Sequence, residues 1–214
     1  AQYQRIDVAK QRIHEAWKRY ETWPKSVEEA AVWQSLAPAW NQWRSSHEEF
    51  LRRAHAFEAT GLPDDLEELL VVLYDVRGTF WKMIAVLNQY FQTGAPLTDS
   101  DRLNTPLAGG GGNWIDRIKA DNPVIKQSLQ QIQPLNATLM TSVQVIQQAI
   151  AHGEKSVAER EYTERLYPNA MKIIELMRPM RQEVSRANQL YVQMRDQAAV
   201  NLSLIHISEP TRPY

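Results

Sequence analysis

Five of the seven tryptophans fall between Trp17 and Trp43. Indole rings gathered in this way either cage a cationic or ring-bearing ligand or pack helices together. Trp33, Trp40 and Trp43 share one helical stripe, which favours packing. His47 lies on that stripe and reads as a hydrogen-bonded core residue. His14, His55 and His152 show no metal-ligand spacing, and His-Glu-x-x-His does not occur. Arg77 and Lys82 flank Phe80 and Trp81; such cations suit an acidic small molecule, or simply stand in solvent. Gly109 to Gly112 invite comparison with a phosphate cradle, but no Gly-Lys-Ser/Thr follows and no strand precedes them. A hinge is the better reading. The chain has no cysteine, so disulfides, thiol chemistry and cysteine zinc sites are out. No nucleophile, base and orienter form a set, and the carboxylates spread along helix surfaces, so enzyme activity is not expected.

The elements that must position these residues are helices. Ile6, Ala9, Ile13, Ala16 and Tyr20 follow spacings of 3 and 4, a lengthwise packing seam. Trp23-Pro24 stops that helix, and Ser26 with Glu29 makes a capping box for the next. The second stripe is Trp33, Leu36, Trp40, Trp43, His47, Phe50, Ala54 and Phe57, kinked at Pro38 and ended by Gly61. Asp64, three residues before Glu67, opens a third helix, whose expected buried face is Leu66, Leu69, Leu70, Leu73, Phe80, Trp81, Ile84, Leu87 and Phe91. A long connection over 95–112 and a short piece near Trp114 lead to Asn122-Pro123, a cap and first-turn proline. The helix that follows carries Ile125, Leu129, Ile132, Leu139, Val143, Ile146 and Ile150, with a kink expected at Pro134. Gly153 breaks it, and Ser156 with Glu159 suggests a second capping box. The last stripe, Leu166 to Met194, alternates steps of 4 and 3 throughout, the mark of a supercoiled seam, with bending expected at Pro168 and Pro179. The expected fold is all-α, an elongated antiparallel bundle of five to six helices.

Composition agrees. The 214 residues carry 24 basic and 25 acidic side chains, so a broad basic face for nucleic acid is not expected. No apolar run of about 18 residues exists, so no membrane span is expected within the chain. After Asn201 the pattern changes: Leu202 to Ile207 alternates like a strand, and Pro210 and Pro213 oppose helix. Leu202 to Arg212 resembles the in-frame translation of a transposase adapter used in sequencing libraries, so residues 201–214 are expected to be a non-native tail. With the opening at Ala1 inside a helical pattern, the expectation is a fragment of a longer protein.

The stretch from Arg5 to Leu51, with RIDVAKQRIHEAWKRYETWPKSVEEAAVW and LAPAWNQWRSSHEEFL, resembles the four-helix-bundle sensor region of bacterial methyl-accepting chemotaxis proteins. Arg77 to Lys82, Gly109 to Trp114, and Asn122-Pro123 through Met140 look like landmarks of the chemoreceptor zinc-binding domain. The resemblance implies an N-terminal hairpin over 1–62 and a zinc-domain-like region over 63–200. It also implies ligands that this chain lacks: the family has histidine at Phe80, cysteine at Gly109, and histidines at Asn136 and Met140. Phenylalanine and glycine have no donor, asparagine is a poor one, and thioether prefers softer metals. Neither zinc nor any other cofactor is expected.

The resemblance implies the extracytoplasmic, periplasmic ligand-sensing region of a transmembrane chemotaxis receptor. It would bind a small molecule or a ligand-binding protein, be anchored by flanking spans, and pair as a homodimer. Arg77, Trp81, Trp114 and Asn136 are the expected ligand residues. Sensors of histidine kinases or cyclases, and a scaffolding bundle without a ligand, are the alternatives. A pocket with convergent polar groups favours a sensor, and a fully packed core favours a scaffold.

Overall fold

The computed structural model describes residues 2–63, 65–94, 97 and 114–206. Its elements are α1 (Gln2–Thr22), α2 (Val27–Glu58), α3 (Leu66–Thr93), α4 (Trp114–Arg117), α5 (Pro123–Ala151), α6 (Lys155–Glu161) and α7 (Tyr167–His206). A π-helical turn, Tyr162–Leu166, joins α6 to α7 without a break. No strand occurs among the described residues, and the chain is an all-α helical bundle. Contacts divide it into two compact units: Ala1–Glu49 with Ala198–Tyr214, and Phe50–Gln197. The divisions fall inside α2 and α7, whereas the sequence reading set its boundaries at 62/63 and 200/201.

The larger unit is built on seven-residue steps. Leu73, Phe80 and Leu87 on α3, and Ile125, Ile132, Leu139 and Ile146 on α5, are fully buried. So are Leu166 of the π turn and Ile173, Met177, Met180 and Val184 of α7. A repeat of seven keeps one stripe turned inward along a supercoiled helix. Burying each such side chain contributes roughly 1.5–3 kcal/mol before entropy is counted. Trp81 departs from expectation. One residue beyond the inward Phe80, it turns out of the core and is 41% exposed, because a step of about 100° carries it off the stripe.

One polar residue ties this unit together. Asn122 is buried; its Oδ1 accepts from the N–H groups of Val124 and Ile125 at 2.9 and 3.1 Å, capping α5. Its Nδ2 donates to the Thr60 carbonyl at 2.8 Å and to Glu183 Oε2 at 3.4 Å. The turn after α2 must therefore come close. Gly61 has φ +65, its carbonyl accepts the Asp121 N–H at 2.7 Å, and a Cβ there would lie 2.9 Å from the Asn122 nitrogen.

Several local details differ from expectation. The cap of α3 is Asp65, whose carboxylate accepts the Glu68 N–H at 2.9 Å. Asp64 lies outside the described residues, and the two tandem aspartates each precede a glutamate by three, so the motif alone could not choose. Ser156 and Glu159 form no capping box, because α6 already begins at Lys155. The cause is a Schellman turn: Gly153 (φ +73) donates to the Ile150 carbonyl and Glu154 to the Ala149 carbonyl, which sends the chain straight into helix. Pro168, a point of expected bending, follows the π turn, in which the Tyr167 N–H reaches back to the Tyr162 carbonyl, and the helix continues through it. Leu202 to His206 continue α7 instead of forming a strand; extending an existing helix is cheap, whereas nucleating new structure is not. Asn201, expected to open the foreign tail, is buried and its Oδ1 accepts from Ser46 Oγ. Residues 207–214 lie outside the described residues.

Candidate aromatic binding cleft

The smaller unit positions most of the tryptophans. The capping box forms as expected: Ser26 N–H donates to Glu29 Oε2 at 2.9 Å, and Glu29 N–H to Ser26 Oγ at 3.2 Å. A backbone amide, then the Ser26 hydroxyl, hold the exposed Glu28 carboxylate below its usual range. At the other side of the turn Lys25 closes α1. Its Nζ donates to the carbonyls of Tyr20, Trp23 and Glu21 at 2.8, 3.1 and 3.2 Å. The same ammonium lies 4.9 Å from the Tyr20 ring centre and 5.2 Å from that of Trp33.

From this turn an aromatic ladder runs along the two helices. Trp17 of α1 lies 4.5 Å from Trp33 and 5.3 Å from Trp40, stacked on the latter with planes 19° apart. Trp40 stacks on Trp43 at 4.9 Å and 28°, and Trp43 on His47 at 5.1 Å and 8°. Steps of seven from Trp33 to Trp40 to His47 line these rings along α2. Trp17 Nε1 donates to Glu21 Oε1 at 2.9 Å. Trp43 Nε1 is buried without a partner among the described residues, a deficit of about 1–3 kcal/mol.

Beside the ladder lies a cleft of about 530 Å³, within the range of small-molecule sites. Its apolar wall is Ile6, Ala9 and Ile13 with Trp17, Trp40 and Trp43; Lys10, His14, Arg44, His47 and Glu48 supply its polar groups. The seam residue Ile13 is 43% exposed, so no core among the described residues of this unit closes over it. His47 titrates below its ordinary value of 6.5: burial is the largest cause, Lys10 adds to it, and Glu48 opposes. Among the described residues the rim thus sets two basic side chains, Lys10 and Arg44, against one acidic one, Glu48.

The residues expected to meet a ligand lie elsewhere. Trp114 and Asn136 are brought together: Trp114 Nε1 donates to Asn136 Oδ1 at 3.4 Å, both buried in the larger unit. Arg77 and Trp81 stand one turn apart on α3, half-buried and exposed. Of the family's zinc-ligand positions, Phe80 is fully buried in the core that holds Trp114, Asn136 is occupied by Trp114, and Met140 is half-buried on α5. Gly109 lies outside the described residues. Among those residues no three His, Cys, Asp or Glu side chains group as metal ligands. The sequence signal for the cleft was present in the spacing of the tryptophans and His47, but packing and binding look alike there until exposure is known.

Compared with protein-family models, curated proteins and solved structures, the chain matches none.

Proposed function

We propose that this chain is the ligand-sensing region of a bacterial methyl-accepting chemotaxis receptor, on the periplasmic side of the inner membrane. The observation that carries the reading is the open aromatic cleft between α1 and α2. A scaffolding bundle gains by closing such a surface, whereas a sensor needs an apolar wall with polar groups converging on it. The stretch that resembles chemoreceptor sensors, Arg5 to Leu51, contains every described residue that lines the cleft. No described helix is long and apolar enough to cross a membrane; the reading places the spans in flanking sequence. Receptors of this kind work as homodimers that recognise a small molecule or a ligand-binding protein and carry out no chemistry on it. Binding would favour one of two helix arrangements, by as much as its affinity differs between them.

The test is a hybrid receptor in which the full chain replaces the sensor of a chemotaxis receptor of known output. Compounds that bind the purified chain should change kinase activity in the hybrid. Tight binders that leave the kinase unmoved, in a hybrid still methylated normally, would count against the reading. Coupling restored only with a histidine-kinase or cyclase output would move the chain to that class.

A further inference from the structure

Resting on that reading, we infer that the ligand of the α1–α2 cleft is a planar aromatic carboxylate. Two observations converge on this chemistry. The rings of Trp40, Trp43 and His47 meet at 28° and 8°. A cage for a cation needs faces turned toward one point, whereas a ladder of near-parallel rings is extended by another flat ring. In this unit, the place among the described residues where a cation meets ring faces, above Tyr20 and Trp33, is already taken by Lys25.

Charge gives the second observation. Among the described residues Lys10 and Arg44 outnumber Glu48 at the rim, so an anion is attracted and an organic cation repelled. Arginine in particular offers a fork of N–H donors that fits a carboxylate. The aliphatic wall of Ile6 and Ile13 then covers the outer ring face.

Isothermal titration of the full chain tests this with four probes: 2-naphthoate, neutral 2-naphthamide, cyclohexanecarboxylate, and a naphthyl-trimethylammonium cation. Naphthoate should bind at least about tenfold more tightly than each of the others. Arg44→Gln should weaken naphthoate about five- to tenfold and erase its advantage over the amide, while Glu48→Gln should strengthen it. Trp43→Leu should abolish binding, with circular dichroism reporting that the helices persist. Equal binding of acid and amide, tighter binding of the cation, or no naphthoate binding at millimolar concentration overturns the inference. If naphthoate fails while another compound drives the hybrid receptor, this inference falls and the sensing reading stands. If naphthoate binds as expected yet the hybrid stays silent, the ligand class stands and the sensing reading falls.

Discussion

Trp17 stacks on Trp40 with ring centres 5.3 Å apart and planes 19° from parallel, joining two helices that the sequence separates by a proline turn. The pair sits in a wall of the cleft as well as in the packing of its unit. One set of rings thus serves stability and recognition together.

Trp17→Leu should therefore act on both. It removes the contacts with Trp33 and Trp40, each worth about 0.5–1.5 kcal/mol beyond area burial. Thermal unfolding followed by near-ultraviolet circular dichroism should show a transition lowered by roughly 1–3 kcal/mol. Amide exchange at buried positions of α5 should be unchanged, since those lie in the other unit. Slowed or unaltered unfolding of the mutant would mean that the ladder carries no packing energy.

Gly61 and Gly153 both have positive φ but different surroundings. At Gly61 a methyl group meets the backbone of Asp121 and Asn122 at 2.9 Å, whereas at Gly153 nothing lies within 4 Å. Gly153→Ala should cost only the left-handed backbone penalty, about 1–2 kcal/mol. Gly61→Ala adds the clash and disturbs the Asn122 bonds, so its loss should exceed that of Gly153→Ala by about 1–3 kcal/mol. Equal losses in denaturant titration would show that the close approach is unimportant.

The depressed titration of His47 sets a direction for pH. The folded chain resists protonation, through burial and Lys10, more than the unfolded chain does. On acidification the unfolded state takes up its proton first, near 6.5, so stability falls from there until pH drops below the folded value. An NMR titration of the His47 ring should give a midpoint below 6.5, and Lys10→Met should raise it. Glu48→Gln should lower it further. His14 and Arg44 line the same cleft, so the His14 midpoint is followed alongside. A His47 midpoint above 6.5 would contradict the burial of its ring.

Much of this arrangement can be read from residue order, and the misses share a cause. Stripes such as Ile125, Ile132, Leu139 and Ile146 declare their helix because burial there repeats at the helical period. Ser26 with Glu29 works as a cap because the turn before it leaves both residues at the helix start. Ser156 with Glu159 has the same spelling and fails, because the Schellman turn at Gly153 decides where α6 begins. Trp81 adjoins an inward residue, and hydrophobicity alone could not say which of two neighbouring rings turns in. The site was the hardest part. Trp114 and Asn136 stood out by resemblance, yet they satisfy each other inside a core; Trp17, Trp40 and Trp43 stood out by number, and only their exposure distinguishes a cleft from packing.

The most direct measurement uses fluorine NMR of the chain labelled with 5-fluorotryptophan, which reports its seven indoles separately. Single tryptophan-to-phenylalanine variants assign the signals. On addition of 2-naphthoate the resonances of Trp17, Trp40 and Trp43 should shift together and saturate with one affinity, while those of Trp81 and Trp114 stay in place. Shifts at Trp81 and Trp114 with none in the cleft, or no saturable shift at all, would contradict the account.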